Sequence, residues 1–109
     1  MAYNNQIDWE HYEEQIICIP IKDYEDYDLY DDGRVYSNKS NKFIKLKVHA
    51  NKYGYKQIQV RLCKNGKEKL INLARLLMQH FKPDEWNEKL QVDHIDTDPT
   101  NNNLNNLRM

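Results

Sequence analysis

Cysteine is scarce: 109 residues hold two, and neither Cys18 nor Cys63 has a partner at CxxC or Cys/His spacing. That argues against a zinc ribbon or a disulfide scaffold, and for an intracellular protein with reduced thiols. Long apolar runs are missing too. None approaches the roughly 18 residues of a membrane span, and no charged-then-apolar leader opens the chain. No membrane partner is expected. Repeats and low-complexity tracts are absent apart from the asparagines at 101–106. Eight Tyr, two Trp and two Phe can build a modest core in a chain that is 39% hydrophobic and 30% charged. The length suits one small domain, alone or with a short appendage.

The charge that is present is unevenly placed. Residues 1–33 carry ten acids and one base, 34–82 thirteen bases and one acid, and 83–109 six acids and two bases. The formal total of −1 hides a basic middle between acidic ends. An uneven solvated surface would explain this, but thirteen against one favours a phosphate-binding strip. Its candidate members are Arg34, Lys45, Lys47, Lys52, Lys56, Arg61, Lys64, Lys67 and Arg75. Tyr53 and Tyr55 flank Gly54, where they would stack at a groove or pack on the sheet.

Tyr3, Trp9 and Tyr12 stand at near-helical spacing, so residues 1–15 read as a short helix or an ordered arm. Ile16-Ile17-Cys18-Ile19 predicts a strand stopped by Pro20. Asp32-Gly33 predicts a tight hairpin between Tyr27–Tyr30 and Arg34–Ser37, and Asn38–Asn41 another turn. Phe43–Val48 reads as a single strand. In Gly54–Cys63, Ile58, Val60 and Leu62 alternate onto one face. Asn65-Gly66 then predicts a hairpin, with Lys69–Asn72 returning antiparallel. The period changes at Leu73, Leu76, Leu77, His80 and Phe81, which share a helix face closed by Lys82-Pro83. His80 is a half-buried residue of that face without assigned chemistry, and Trp86 and Leu90 are expected to pack on it. Leu90–Ile95 alternates like a strand, Asp96–Asn103 reads as a loop braced by side-chain-to-backbone bonds, and Leu104–Met109 reads as a returning strand.

Asp93-His94 sets a hard oxygen ligand beside a group that titrates near neutrality. Adjacent strand residues point to opposite faces, so both reach one ligand only where the strand ends. A metal held by Asp93 would grip a phosphate oxygen, and neutral His94 would take a proton from water. The plainer reading is a strand end with His94 bonded to a backbone carbonyl.

The surrounding residues resemble a known pattern. Leu90-Gln91-Val92-Asp93-His94-Ile95-Asp96, then Asn101-Asn102, then Asn106-Leu107-Arg108 resembles the motif of HNH endonucleases of phage and intron-encoded homing enzymes. Gly54-Tyr55, Leu62 through Lys67, and Arg75-Leu76-Leu77 through Phe81 stand in the family's order. Ile19-Pro20, Tyr30, Gly33-Arg34-Val35 and Ser37 are similar to a small DNA-associated module that often precedes such domains. The resemblance spans most of residues 13–109.

The chain reads as α+β, with an N-terminal arm (1–15); beyond it the resemblance implies a small antiparallel β module (16–48) and an HNH-like nuclease domain (49–109) holding the ββ part of a ββα-metal motif. It implies His94 as general base, Asp93 as a ligand of one divalent cation, usually magnesium, and Asn106 as the brace that orients the histidine. It also implies double-stranded DNA as the partner. Ala74 departs from the pattern, standing where the family usually carries a histidine. The family's other protein metal ligand lies on a helix after the second strand, beyond Met109. Such a chain would be a fragment of a longer nuclease or a natural remnant. The expected function is metal-dependent phosphodiester hydrolysis, with a non-catalytic DNA-binding descendant as the alternative. A protein-interaction module without nucleic acid would require the motif to be coincidence. The asparagine, lysine and tyrosine richness hints at an AT-rich genome, such as a virus or mobile element.

Overall fold

The computed structural model describes residues 16–109; the expected arm at 1–15 lies outside them. The described chain forms three antiparallel sheets and a helix. β1 (Cys18–Ile21), β2 (Tyr24–Tyr30), β3 (Val35–Ser37) and β4 (Lys42–Phe43) make a four-stranded meander. β5 (Lys47–Ala50), β6 (Lys56–Lys64) and β7 (Lys67–Asn72) make a second. α1 (Leu73–Phe81) follows directly, and β8 (Asp93–His94) pairs with β9 (Leu107–Arg108).

Local chemistry explains most of these elements. Asn65 and Gly66 both take positive φ, 54° and 77°, as a two-residue turn matched to strand twist demands. Ile58, Val60 and Leu62 are buried along β6, the middle strand of its sheet. Asn72 caps α1 by accepting the Arg75 backbone N–H at 3.0 Å, and Lys82 N–H closes the helix on Met78 O at 2.9 Å. Leu73, Ala74, Leu76, Leu77 and Met78 are buried, a wider apolar stripe than the sequence spacing indicated. They share one core with Ile21, Leu29, Val35, Val60 and Leu107. The Cys63 N–H donates to the Tyr27 hydroxyl at 3.0 Å, tying β6 to the first sheet.

Four expectations change. Pro20 does not stop the first strand: it lies inside β1, opposite Asp28, with a register shift before Ile21. β1 is an edge strand, where a missing donor is tolerated. The Asp32-Gly33 turn is longer than a tight pair. Tyr30 N–H donates to Arg34 O at 2.8 Å across Asp31–Gly33, with Gly33 at φ 95°. Phe43–Val48 is not one strand, because Phe43 pairs with Tyr36 in one sheet and Lys47 with Gln59 in the other. Half-buried Ile44 and Leu46 pack on the core between them. The last two strands shrink to β8 and β9, since Leu104–Asn106 winds into a 3-10 turn and offers no extended partner.

Candidate active site

β8 is too short to hold its two side chains apart. Asp93 is exposed and His94 half-buried, yet both line one open hollow with Gly54, Tyr55, Lys56, Val92, Thr97 and Pro99. The strand ends at His94, and Thr97 N–H turns back onto His94 O at 2.9 Å with Thr97 at φ 62°. That turn brings a carboxylate and an imidazole to one opening. His94 also lines an adjoining hollow with Ala74 and Asn102.

The loop behind them is a lattice of asparagine and aspartate bonds. Asn106 Nδ2 donates to Asp96 Oδ1 and to Asn101 O, both at 2.9 Å, while its Oδ1 accepts the Asp96 backbone N–H at 3.1 Å. Its carbonyl accepts Ile95 N–H at 2.8 Å. Asn106 therefore spans the loop, and none of these hydrogen bonds goes to the His94 ring. Asn101 Nδ2 reaches Asp96 Oδ2 at 2.8 Å. Asp98 Oδ1 accepts both the N–H and the hydroxyl of Thr100, at 2.9 and 2.6 Å. Hydrogen bonds from Asn101, the Asp98 backbone and Asn106 hold the Asp96 carboxyl below its ordinary range. Those from Thr100 do the same for Asp98.

Asp93 is not unpartnered. Arg108, its cross-strand neighbour, donates from Nε to Asp93 Oδ2 at 2.8 Å. His94 bonds through Nε2 to Asn102 Oδ1 at 2.8 Å, not to a backbone carbonyl. Neither Arg108 nor Asn102 was singled out by periodicity; each lies within the motif, but burial and cross-strand register are what pick them out.

A divalent cation implied by such a motif finds suitable chemistry here, a carboxylate oxygen that hard ions prefer. The number of donors is small. Among the described residues no three His, Cys, Asp or Glu side chains gather as a metal site, so Asp93 offers one ligand.

The basic residues divide into groups. Lys47 and Arg61 share the outer face of the second sheet, as the pairings Lys47↔Gln59 and Arg61↔Leu70 require. Lys56 lines the hollow at the sheet end, Lys52 lies in the turn before it, and Lys64 and Lys67 flank the opposite turn. Eight residue steps along β6 separate the two ends, roughly 27 Å. Lys45 lies exposed between the sheets. Two arginines are already engaged. Arg34 pairs with Asp32 at 2.8 Å and lies over the Tyr30 and Phe43 rings. Arg75 donates to Leu90 O and Glu88 O, each at 3.0 Å, and stacks on Trp86 at 4.6 Å. A phosphate would have to compete with these bonds. Trp86 packs on the core as expected, whereas the Leu90 side chain is 49% exposed and contributes its carbonyl instead. His80 is structural: Nδ1 donates to Leu76 O at 2.9 Å and Nε2 accepts Lys22 N–H at 3.0 Å.

A two-strand hairpin with an aspartate–histidine pair at its rim, an asparagine-braced loop and a helix behind it defines the class as an HNH-type nuclease motif. The comparisons agree: the HNH endonuclease family model matches residues 73–109. The chain is 42% identical over 89 residues to DNA endonuclease I-HmuI of Bacillus phage SP01, covering 81% of this chain and 48% of that protein. It is 39% identical over 88 residues to H-N-H endonuclease F-TflII of Escherichia phage T5, covering 80% and 44%. An uncharacterized HNH endonuclease, L245 of Acanthamoeba polyphaga mimivirus, is 32% identical over 89 residues, covering 82% of this chain and 26% of that protein. The solved structure of the HNH homing endonuclease I-HmuI, from work on its DNA binding and cleavage, superposes with a TM-score of 0.70 at 38% identity, over 84% of this chain and 51% of that one. Residues 73–109 thus form an HNH endonuclease family domain, and the relatives that the chain matches come from two phages and a mimivirus. It spans between about a quarter and a half of those relatives' own lengths. No helix among the described residues is long and apolar enough to cross a membrane.

Proposed function

We propose that this chain is the DNA-engaging and ββ portion of a metal-dependent DNA endonuclease that hydrolyses phosphodiester bonds. The observation that carries this reading is the convergence of Asp93 and His94 on one hollow with Lys56 at its edge. In the neutral form, His94 accepts a proton from the attacking water. Asp93 would hold the cation, most suitably magnesium, which supplies electrostatic stabilisation of charge on a phosphate oxygen. The Arg108 guanidinium holds the Asp93 carboxylate across the hairpin, and Asn106 keeps the loop between the strands closed. Lys45, Lys47, Lys52, Lys56, Arg61, Lys64 and Lys67 would follow the phosphates of double-stranded DNA along the second sheet.

Nicking of supercoiled plasmid by a chain containing residues 1–109, in magnesium and in chelator, tests the proposal. Magnesium-dependent nicking supports it. Tight, salt-sensitive DNA binding with no nicking by any chain containing these residues would instead favour a binding role alone.

A further inference from the structure

Asn102 is one of two buried polar residues among those described, 6% exposed, and its side-chain amide is aimed at both ends. Oδ1 sits 2.8 Å from His94 Nε2, and Nδ2 points to Pro99 O at 3.4 Å. A carbonyl only accepts, so Nδ2 belongs on the Pro99 side, and Oδ1 then faces the ring. The reverse orientation would set two oxygens against each other. An oxygen at 2.8 Å requires the hydrogen on Nε2, which leaves the lone pair on Nδ1. Among the described residues, Nδ1 has no hydrogen-bond partner.

Asn102 is in turn seated on the first sheet. A Cβ at Gly33 would lie 2.8 Å from Asn102 O and 3.2 Å from Asn102 Cβ, and Gly33 is at φ 95°. A side chain at that position therefore meets both a strained backbone and the loop itself. One residue beyond Asn103, Leu104 N–H donates to Asp31 O at 2.8 Å. The Asp31–Gly33 turn thus grips the loop on both sides of Asn103.

We propose that Asn102 is a positioning residue for His94. Held on the Asp31–Gly33 turn, it fixes the imidazole with its hydrogen on Nε2 and leaves Nδ1 as the nitrogen that receives the proton. Only the last step rests on His94 being the base. The first sheet then belongs to the scaffold of the nuclease site, in addition to any contact it makes with DNA.

The test is nitrogen–proton correlation spectroscopy of the ring, without DNA or metal, at mildly alkaline pH, where the two ring-nitrogen shifts report directly which nitrogen carries the hydrogen. Wild type is expected to show the His94 hydrogen on Nε2, protected from water. In Asn102→Leu, of similar volume, that proton should exchange roughly tenfold faster or more, while the Ile58–Leu62 amides stay unchanged. Asn102→Asp should restore protection, since a carboxylate oxygen also accepts. A hydrogen on Nδ1 in wild type, or an Nε2 proton equally exposed in wild type and Asn102→Leu, overturns the proposal. The wild-type spectrum decides even if a variant fails to fold. His94→Ala nicking as fast as wild type would remove the base reading and leave the positioning of the ring untouched.

Discussion

Replacing Asn106 with alanine removes three side-chain bonds while leaving its carbonyl on Ile95 N–H. Two of the three join neutral groups, Asn101 O and the Asp96 backbone N–H. At about 0.5–1.5 kcal/mol net for each, their loss should cost about 1–3 kcal/mol. The third reaches the solvent-screened Asp96 carboxylate and is left out of this sum. The Asn106 side chain lies on the loop between β8 and β9, away from β6, so the cost should fall on local opening and spare the second sheet. Amide hydrogen exchange reads this directly. The Ile95 and Thr97 amides should exchange roughly 5- to 150-fold faster in Asn106→Ala, with Ile58–Leu62 unaffected. Unchanged exchange at Ile95 and Thr97 would show that Asn106 braces nothing. Uniform acceleration would show that the loop does not open separately from the core.

Two further predictions concern charge. If Lys45, Lys47 and Lys56 each neutralise one phosphate, changing all three to Gln should flatten the slope of log affinity against log salt by about 2.7; an unchanged slope in a filter-binding or anisotropy titration would remove them from the interface. Because the Asp96 and Asp98 carboxyls lie below their ordinary range when folded, their contribution is present above the unfolded carboxylate pKa of about 4 and is lost as pH falls through the folded values. The side-chain carboxyl carbon shifts of Asp96 and Asp98 should therefore make their main change only below about pH 4; a main carboxyl transition above that would contradict the bonding described for the loop.

What could be read in the sequence was what depends on near neighbours. Asn65-Gly66 specifies its turn by backbone conformation alone, and Ile58, Val60 and Leu62 specify a buried face by alternation. The helix was legible because its stripe and its closing Lys82-Pro83 lie within one short stretch. What was not legible depends on distant partners. Nothing local says that Phe43 and Lys47 serve different sheets, or that Pro20 lies on an edge. Arg75 looks like any other base of the basic stretch until Leu90 O, Glu88 O and Trp86 are seen around it. At the site, Asp93, His94 and Asn106 were visible through their motif, whereas the Asn102 contact to His94 and its seat on Gly33 appear only in three dimensions.

His94 is proposed to perform proton transfer at a site where DNA is already bound. The most direct measurement is the single-turnover nicking rate of His94→Ala against wild type, in magnesium, in the longest chain that contains residues 1–109, with DNA affinity measured in parallel. With His94 as the base, the variant's rate should be lower by roughly a hundredfold or more at unchanged affinity. Equal rates, or a fall in rate that only mirrors lost affinity, would contradict it.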